Sequence, residues 1–322
     1  WHTCSYSLKP GWFSNKSIVQ KIENGSEIGR SNSTNISINT SGLILLMHFN
    51  NESVFGENAT GGSADIVRDF SPDVNSKRSG SVRNNGTTKD GATINKTDYK
   101  LGGGAAEFDG VNDDVNTGDF FYSNVFTLSA WIYPRPQSVT SLGGSIIQKR
   151  ESGAEEFQFE FDEFGPGYLE FTLRASDQTF DFMNSIQQLQ SNRWYHVAAV
   201  ADANQMTIYI NGVMDNSIAR TKTLVDTTSP VLIGQANVVG AANFDGLIDE
   251  VAIWNRSLAA QEILDIYKLG TLKFNVTVSI NNVTITGGTT SGCFATSGNN
   301  DDWDFKDVKI SVWQTKSSAP SI

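Results

Sequence analysis

Only 2 cysteines and 3 histidines occur in 322 residues. A zinc site takes about four ligands at short spacings, so these scattered residues exclude one. Positive charge is scarce as well: 24 Lys and Arg stand against 35 Asp and Glu, a net charge of −11. That balance excludes nucleic acid as a partner, because binding it demands clustered cations that displace counterions. No apolar run reaches the ~18 residues of a membrane span, and the best candidate is residues 42–49. Charged residues at 18% are too few for a coiled coil or helical bundle, which are rich in Ala, Glu, Lys and Leu. These absences leave a β-rich, turn-rich chain.

Ser, Thr and Asn are abundant, and they build twelve N-x-S/T acceptors. These begin at Asn15, Asn24, Asn32, Asn35, Asn39, Asn51, Asn58, Asn85, Asn95, Asn255, Asn275 and Asn282. Nine fall in the first 95 residues, more than chance placement gives. A sugar on asparagine forces its segment to the surface, so the reading is an exported, extracellular glycoprotein. The chain starts at Trp1 without an initiator Met. It reads as a processed chain or fragment whose signal peptide is gone. In an oxidising compartment Cys4 and Cys293 bridge the two ends of the chain; the alternative is two buried thiols.

Periodicity divides the chain into three parts: an N-terminal sequon-rich segment 1–41, a continuous β domain 42–270, and a C-terminal β segment 271–322. Short strands are expected at 17–22 and 34–38, and again at 272–280 and 307–313. The two end segments are expected to pair as one module, with two separate appendages as the alternative. In the middle, Phe157, Phe159 and Phe161 alternate with Glu156, Gln158, Glu160 and Asp162, which predicts a strand with an aromatic core face and a solvated acidic face. Asn211-Gly212 after Ile208–Ile210 predicts a type I′ hairpin, because both turn residues must accept positive φ. Ser257 as cap, an apolar stripe of Ala259, Ile263, Ile266 and Tyr267, and Gly270 as stop predict one helix. Strands spaced at roughly 8–12 residues predict a sandwich. Trp131 and Trp194 are expected to bury their rings against the opposite sheet.

Six motifs occur in order through the middle region: GLILLMHF at 42–49, AEFDGVND at 106–113, FTLSAWIY at 126–133, NRWYHVA at 192–198, IYING at 208–212 and FDGLIDEVAIWNRSL at 244–258. Together they resemble the laminin-G-like (LamG-like), concanavalin A-like family, and IWNRSL with the sequon density is most similar to archaeal cell-surface versions. The resemblance implies an all-β jelly-roll sandwich of two curved antiparallel sheets, with extra N- and C-terminal β segments outside it. Such folds host lectins, adhesion modules and some hydrolases, so the fold alone leaves function open. The resemblance also implies a structural calcium near the strand carrying Asp249. Asp109, Asn50 and Glu52 complete its shell, since calcium prefers six to eight oxygen ligands. Ordinary turn chemistry is the alternative for these residues.

Catalysis has little support. His48 and His196 sit in apolar strand patterns, and neither a G-x-S-x-G elbow nor a phosphate loop is present. Glu160-Phe-Asp162 has the first two acids of a hydrolase E-x-D-x-(x)-E strand but lacks the third. The expectation is a non-enzymatic surface component that recognises glycans or surface proteins. The alternative is a structural subunit that assembles with identical copies into a filament or surface layer.

Overall fold

The computed structural model describes residues 3–7, 20–23, 26–30, 38–271 and 275–279, apart from 60–64, 72–82, 121–122, 141–142, 152–153, 176, 178 and 236–242. In chain order the strands begin with β1 (Thr3–Ser7), β2 (Gln20–Glu23), β3 (Ser26–Arg30), β4 (Leu43–Met47) and β5 (Ile66–Val67). Next come β6 (Gly86–Lys89), β7 (Thr93–Asn95), β8 (Ala105–Asp109), β9 (Asp114–Asn116) and β10 (Phe126–Pro134). The middle of the domain holds β11 (Gly144–Glu151), β12 (Ala154–Phe161), β13 (Leu169–Arg174), β14 (Phe180–Asn184) and β15 (Tyr195–Ala201). Then follow β16 (Gln205–Ile210), β17 (Val213–Ala219), β18 (Val231–Ile233), β19 (Asp245–Trp254), helix α1 (Ala260–Thr271) and β20 (Asn275–Ser279).

The chain forms two compact units. One contains the described end strands and the other spans residues 38–270. In the first, β1 pairs antiparallel with β20, Cys4 standing opposite Val278, and β2 pairs with β3. Cys293, and with it the expected disulfide, lies outside the described residues, as does the strand expected at 307–313.

The larger unit is a sandwich of two eight-stranded antiparallel sheets. The first runs β17-β16-β15-β10-β19-β8-β7, with β4 also on β19; the second runs β14-β13-β12-β11-β18-β9-β6-β5. Alternation explains the core between them. Phe157, Phe159 and Phe161 of β12 point inward with Leu169, Phe171 and Leu173 of β13. They meet Leu128, Ala130 and Ile132 of β10 and Val197 and Ala199 of β15. Asn211 and Gly212 both have positive φ, 52° and 78°, in the β16–β17 hairpin, as a type I′ turn requires.

The outer face of the first sheet is covered. Trp131, which alternation turns away from the core, is buried beneath α1 and stacks on Tyr267 with ring centroids 5.7 Å apart. This corrects the expectation that its indole packs against the opposite sheet. Gly270 also departs from its expected role: it lies inside α1, where a β-carbon would collide with the Trp131 ring. The glycine is there for close approach and does not end the helix. Trp194 is half-buried beside Tyr133, 5.5 Å between centroids.

Candidate functional site

Cover on one outer face leaves the outer face of the second sheet as the place to look for a site. Antiparallel partners share a face, so the register composes it row by row. Ser145, Glu160, Glu170 and Asn184 form one row across β11 to β14, and Gln148, Gln158, Thr172 and Phe182 form the next. This overturns the expectation that the acidic side of β12 is solvated. Glu160 is 9% exposed, Gln158 8% and Thr172 8%, while Ser145 and Gln148 are fully buried. Side chains of neighbouring strands flank these residues and the backbone at Gln235 lies on Gln148, neither of which one strand's pattern reveals.

Burial here has electrostatic consequences. Loss of solvent, followed by the neighbouring charge of Glu170, raises the Glu160 carboxyl to about 8, so it keeps its proton at neutral pH. Burial also raises Glu170. Asp162, at the end of β12, accepts a hydrogen bond from the Asn184 amide and from the Phe164 N–H at 2.8 Å, so it belongs to the same corner. Glu156 does not. Its Oε1 accepts the Lys149 ammonium and the N–H and hydroxyl of Thr227, a structural ion pair at the end of the strand.

The side-chain amides and the Thr172 hydroxyl of this face are directed onto the fold's own acceptors. The amide of Gln148 donates to Gln235 O (2.6 Å), Gln158 to Glu160 Oε1 (3.1 Å), and the Thr172 hydroxyl to Glu170 Oε1 (2.8 Å). Ser145 Oγ, Gln148 Oε1 and Asn184 Oδ1 are buried with no hydrogen-bond partner among the described residues. Buried acceptors of this kind are costly and mark a place where a ligand or water supplies the missing donor. At the lip, Phe180 and Phe182 of β14 are 53% and 61% exposed, and Phe164 is 91% exposed. No signal in the sequence pointed to Ser145, Gln148, Glu170 or Asn184, because the register of four strands brings them together.

The histidines take structural roles. His196 is fully buried under α1 and contacts the Ser129 hydroxyl through Nε2 at 2.9 Å. Burial, then the charge of Lys100, lowers it to about 3, so it stays neutral. His48 pairs with Glu250 at 2.8 Å. Burial opposes its charge, but Glu250 prevails and raises its pKa.

The expected calcium ligands do not converge. Asp109 stands opposite Asp245 on β19, whereas Asp249 stands opposite Trp131 four residues farther on, roughly 13 Å along a strand. Asp249 Oδ2 accepts the N–H groups of Lys100 and Leu101, each at 2.9 Å, and Oδ1 accepts that of Glu250 at 2.8 Å. Asn50 Oδ1 accepts the Gly103 N–H at 2.6 Å, and Glu52 is exposed. Oxygens already ringed by N–H donors are unsuited to a cation that needs their lone pairs. A bulge places the two acids: between Ser129 and Trp131 the β10–β19 register slips, and Glu250 adopts φ of 51°. Among the described residues no group of three or more His, Cys, Asp or Glu is placed to hold a metal. Calcium at Asp249 should therefore add nothing to stability: any difference in melting temperature between excess calcium and excess chelator, by differential scanning calorimetry, should be the same in Asp249→Asn as in the wild type. A rise with calcium seen in the wild type alone would restore the ion.

Of the sequons, Asn39, Asn58 and Asn255 are exposed, whereas Asn51, Asn85 and Asn95 are half-buried. The Asn51 side chain exchanges two hydrogen bonds with the Ala59 backbone, at 2.8 and 2.9 Å. Asn275 lies in β20, and Asn15, Asn24, Asn32, Asn35 and Asn282 lie outside the described residues.

Residues 109–264 match the family model described as the concanavalin A-like lectin/glucanases superfamily. No curated protein matches the chain. Among solved structures, the binding domain of botulinum neurotoxin DC in complex with SialylT is similar over 72% of this chain, at 14% identity and a TM-score of 0.53. The binding domain of paraclostridial mosquitocidal protein 1 is similar over 70%, at 15% identity and a TM-score of 0.51. The ligand-binding domain of botulinum neurotoxin serotype D in complex with N-acetylneuraminic acid is similar over 72%, at 17% identity and a TM-score of 0.50. The match spans about half of each of those chains, 52%, 52% and 51%. At such identities the likeness is one of fold. No helix among the described residues is long and apolar enough to cross a membrane.

Proposed function

From a domain of the concanavalin A-like lectin/glucanase superfamily, we propose a glycan-recognition module of an exported, non-enzymatic surface glycoprotein, with the outer face of the second sheet as its binding face. The observation that carries this reading is the trio of buried, unpartnered acceptors Ser145 Oγ, Gln148 Oε1 and Asn184 Oδ1 beside the Glu160–Glu170 pair. Sugar hydroxyls donate to such acceptors, and the exposed rings of Phe180 and Phe182 offer an apolar lip for a pyranose face. Structural neighbours solved with SialylT and with N-acetylneuraminic acid lend support at the level of fold. The test is binding to immobilised glycans with Gln148→Ala beside the wild type. Loss of one buried polar contact should weaken binding about tenfold. A wild type that binds no glycan would remove the reading.

One observation favours a second reading, glycoside hydrolysis: Glu160 and Glu170 stand directly opposite on neighbouring strands. Two carboxyl groups flanking a glycosidic bond are the usual hydrolytic device. Release of reducing ends from a polysaccharide, abolished by Glu160→Gln, would establish that reading in place of the first.

A further inference from the structure

Resting on the reading of this face as glycan-binding, we infer that its ligand is a sugar bearing a free amine, and that acidic sugars are excluded. Four carboxyl groups, Asp162, Glu160, Glu163 and Glu170, act on one another at this corner. Of the two neighbouring cations, Arg150 offsets them only in part. Arg150 and Arg174 are both held by Glu155, Arg150 Nε at 3.1 Å from its Oε1 and Arg174 on its Oε2.

Hydrogen bonding points the same way as charge. The amides of Gln148, Gln158 and Asn184 and the hydroxyl of Thr172 already donate to acceptors of the fold. Buried acceptors stay open at Gln148 Oε1, on a fully buried side chain, and at Asn184 Oδ1, and the fully buried Ser145 hydroxyl is open both to donate and to accept. A ligand that must itself accept hydrogen bonds, such as a carboxylate, a sulfate or the carbonyl of an acetamido group, finds only the Ser145 hydroxyl and the protonated Glu160 as open donors, with like charge nearby. An ammonium brings three donors and the missing positive charge.

The carboxyl pair adds a signature that a generic acidic patch lacks. Without a ligand, Glu160 and Glu170 avoid mutual repulsion because Glu160 stays protonated. An ammonium seated between them relieves the same repulsion, so Glu160 ionises and its proton passes to the solvent. Amine binding is thus coupled to proton release, whereas binding of an uncharged sugar is not.

The experiment is isothermal titration of the intact protein at about pH 5.5, where the sugar amines are ammonium ions and Glu160 keeps its proton, with three probes: a glucosamine tetramer with free amines, an N-acetylglucosamine tetramer, and lactose capped with N-acetylneuraminic acid. The expected result is that the amine tetramer binds at least about tenfold more tightly than its acetylated form, the gain of one charge-assisted contact, and that the acidic probe does not bind. Repeating the amine titration in buffers of different ionisation enthalpy should show a net release of protons. In Glu170→Gln the amine-to-acetamide ratio should collapse towards one. Equal affinity for the amine and acetylated probes, or measurable binding of the acidic one, overturns the inference while leaving glycan recognition standing. Absence of binding to all three overturns both.

Discussion

Replacing Phe159 by Ala should lower the unfolding free energy by about 3–5 kcal/mol, read from urea denaturation. The ring has no exposure and sits at the centre of the aromatic layer between the sheets. It packs edge-to-face on Phe171, its direct partner in β13, with centroids 6.1 Å apart and planes at 77°. Truncation removes that contact and leaves a cavity among the buried side chains of the core. A loss below about 1 kcal/mol would mean that the core is far more plastic than a sandwich of this density allows.

The ion pair at the other end of β12 should matter as much, for a different reason. Lys149 is fully buried, and its ammonium contacts Glu156, Thr227 O at 2.9 Å and Asp119 at 3.2 Å. Lys149→Met strands the Glu156 carboxylate, itself 2% exposed, without a counter-charge, and should cost about 3–5 kcal/mol at neutral pH. Burial already raises the Glu156 pKa even with the lysine in place. Removing the lysine raises it further. A carboxyl whose pKa is raised on folding favours the fold at pH below its unfolded value, and that contribution is lost as pH rises through the folded value. The variant's deficit should therefore shrink in acid and grow towards neutrality. Lys149→Met combined with Glu156→Leu should recover most of the loss, because the stranded charge is gone. Failure of the double variant to recover would show that the contacts of this pair with Thr227 and Asp119 outweigh the stranded charge.

How much of this was legible in the chain follows from what periodicity encodes. Alternation in β12 identified Phe157, Phe159 and Phe161 as core, and all three are there. The two-residue turn at Asn211-Gly212 and the apolar stripe of Ile263 and Ile266 were equally local signals, and both were realised. The ordered motifs carried the sandwich as a whole. A period of two separates the faces of a strand, but it does not say what lies over each face.

Only the closed sandwich decided that Trp131 packs under α1, that Gly270 serves close approach, and that the acids of β12 lie in a buried row. Glu160 meets Glu170, and Ser145 and Asn184 extend their row, through registers that neighbouring strands fix jointly. The same holds for the acids expected to bind calcium. Asp109 and Asp249 belong to strands that do adjoin, yet the register of β8 on β19 and the bulge at Glu250 keep them apart. The sequence by itself determined the fold class and the core face of β12. Tertiary structure decided the candidate site, because its groups are neighbours across strands, where contacts depend on pairing that no local pattern specifies.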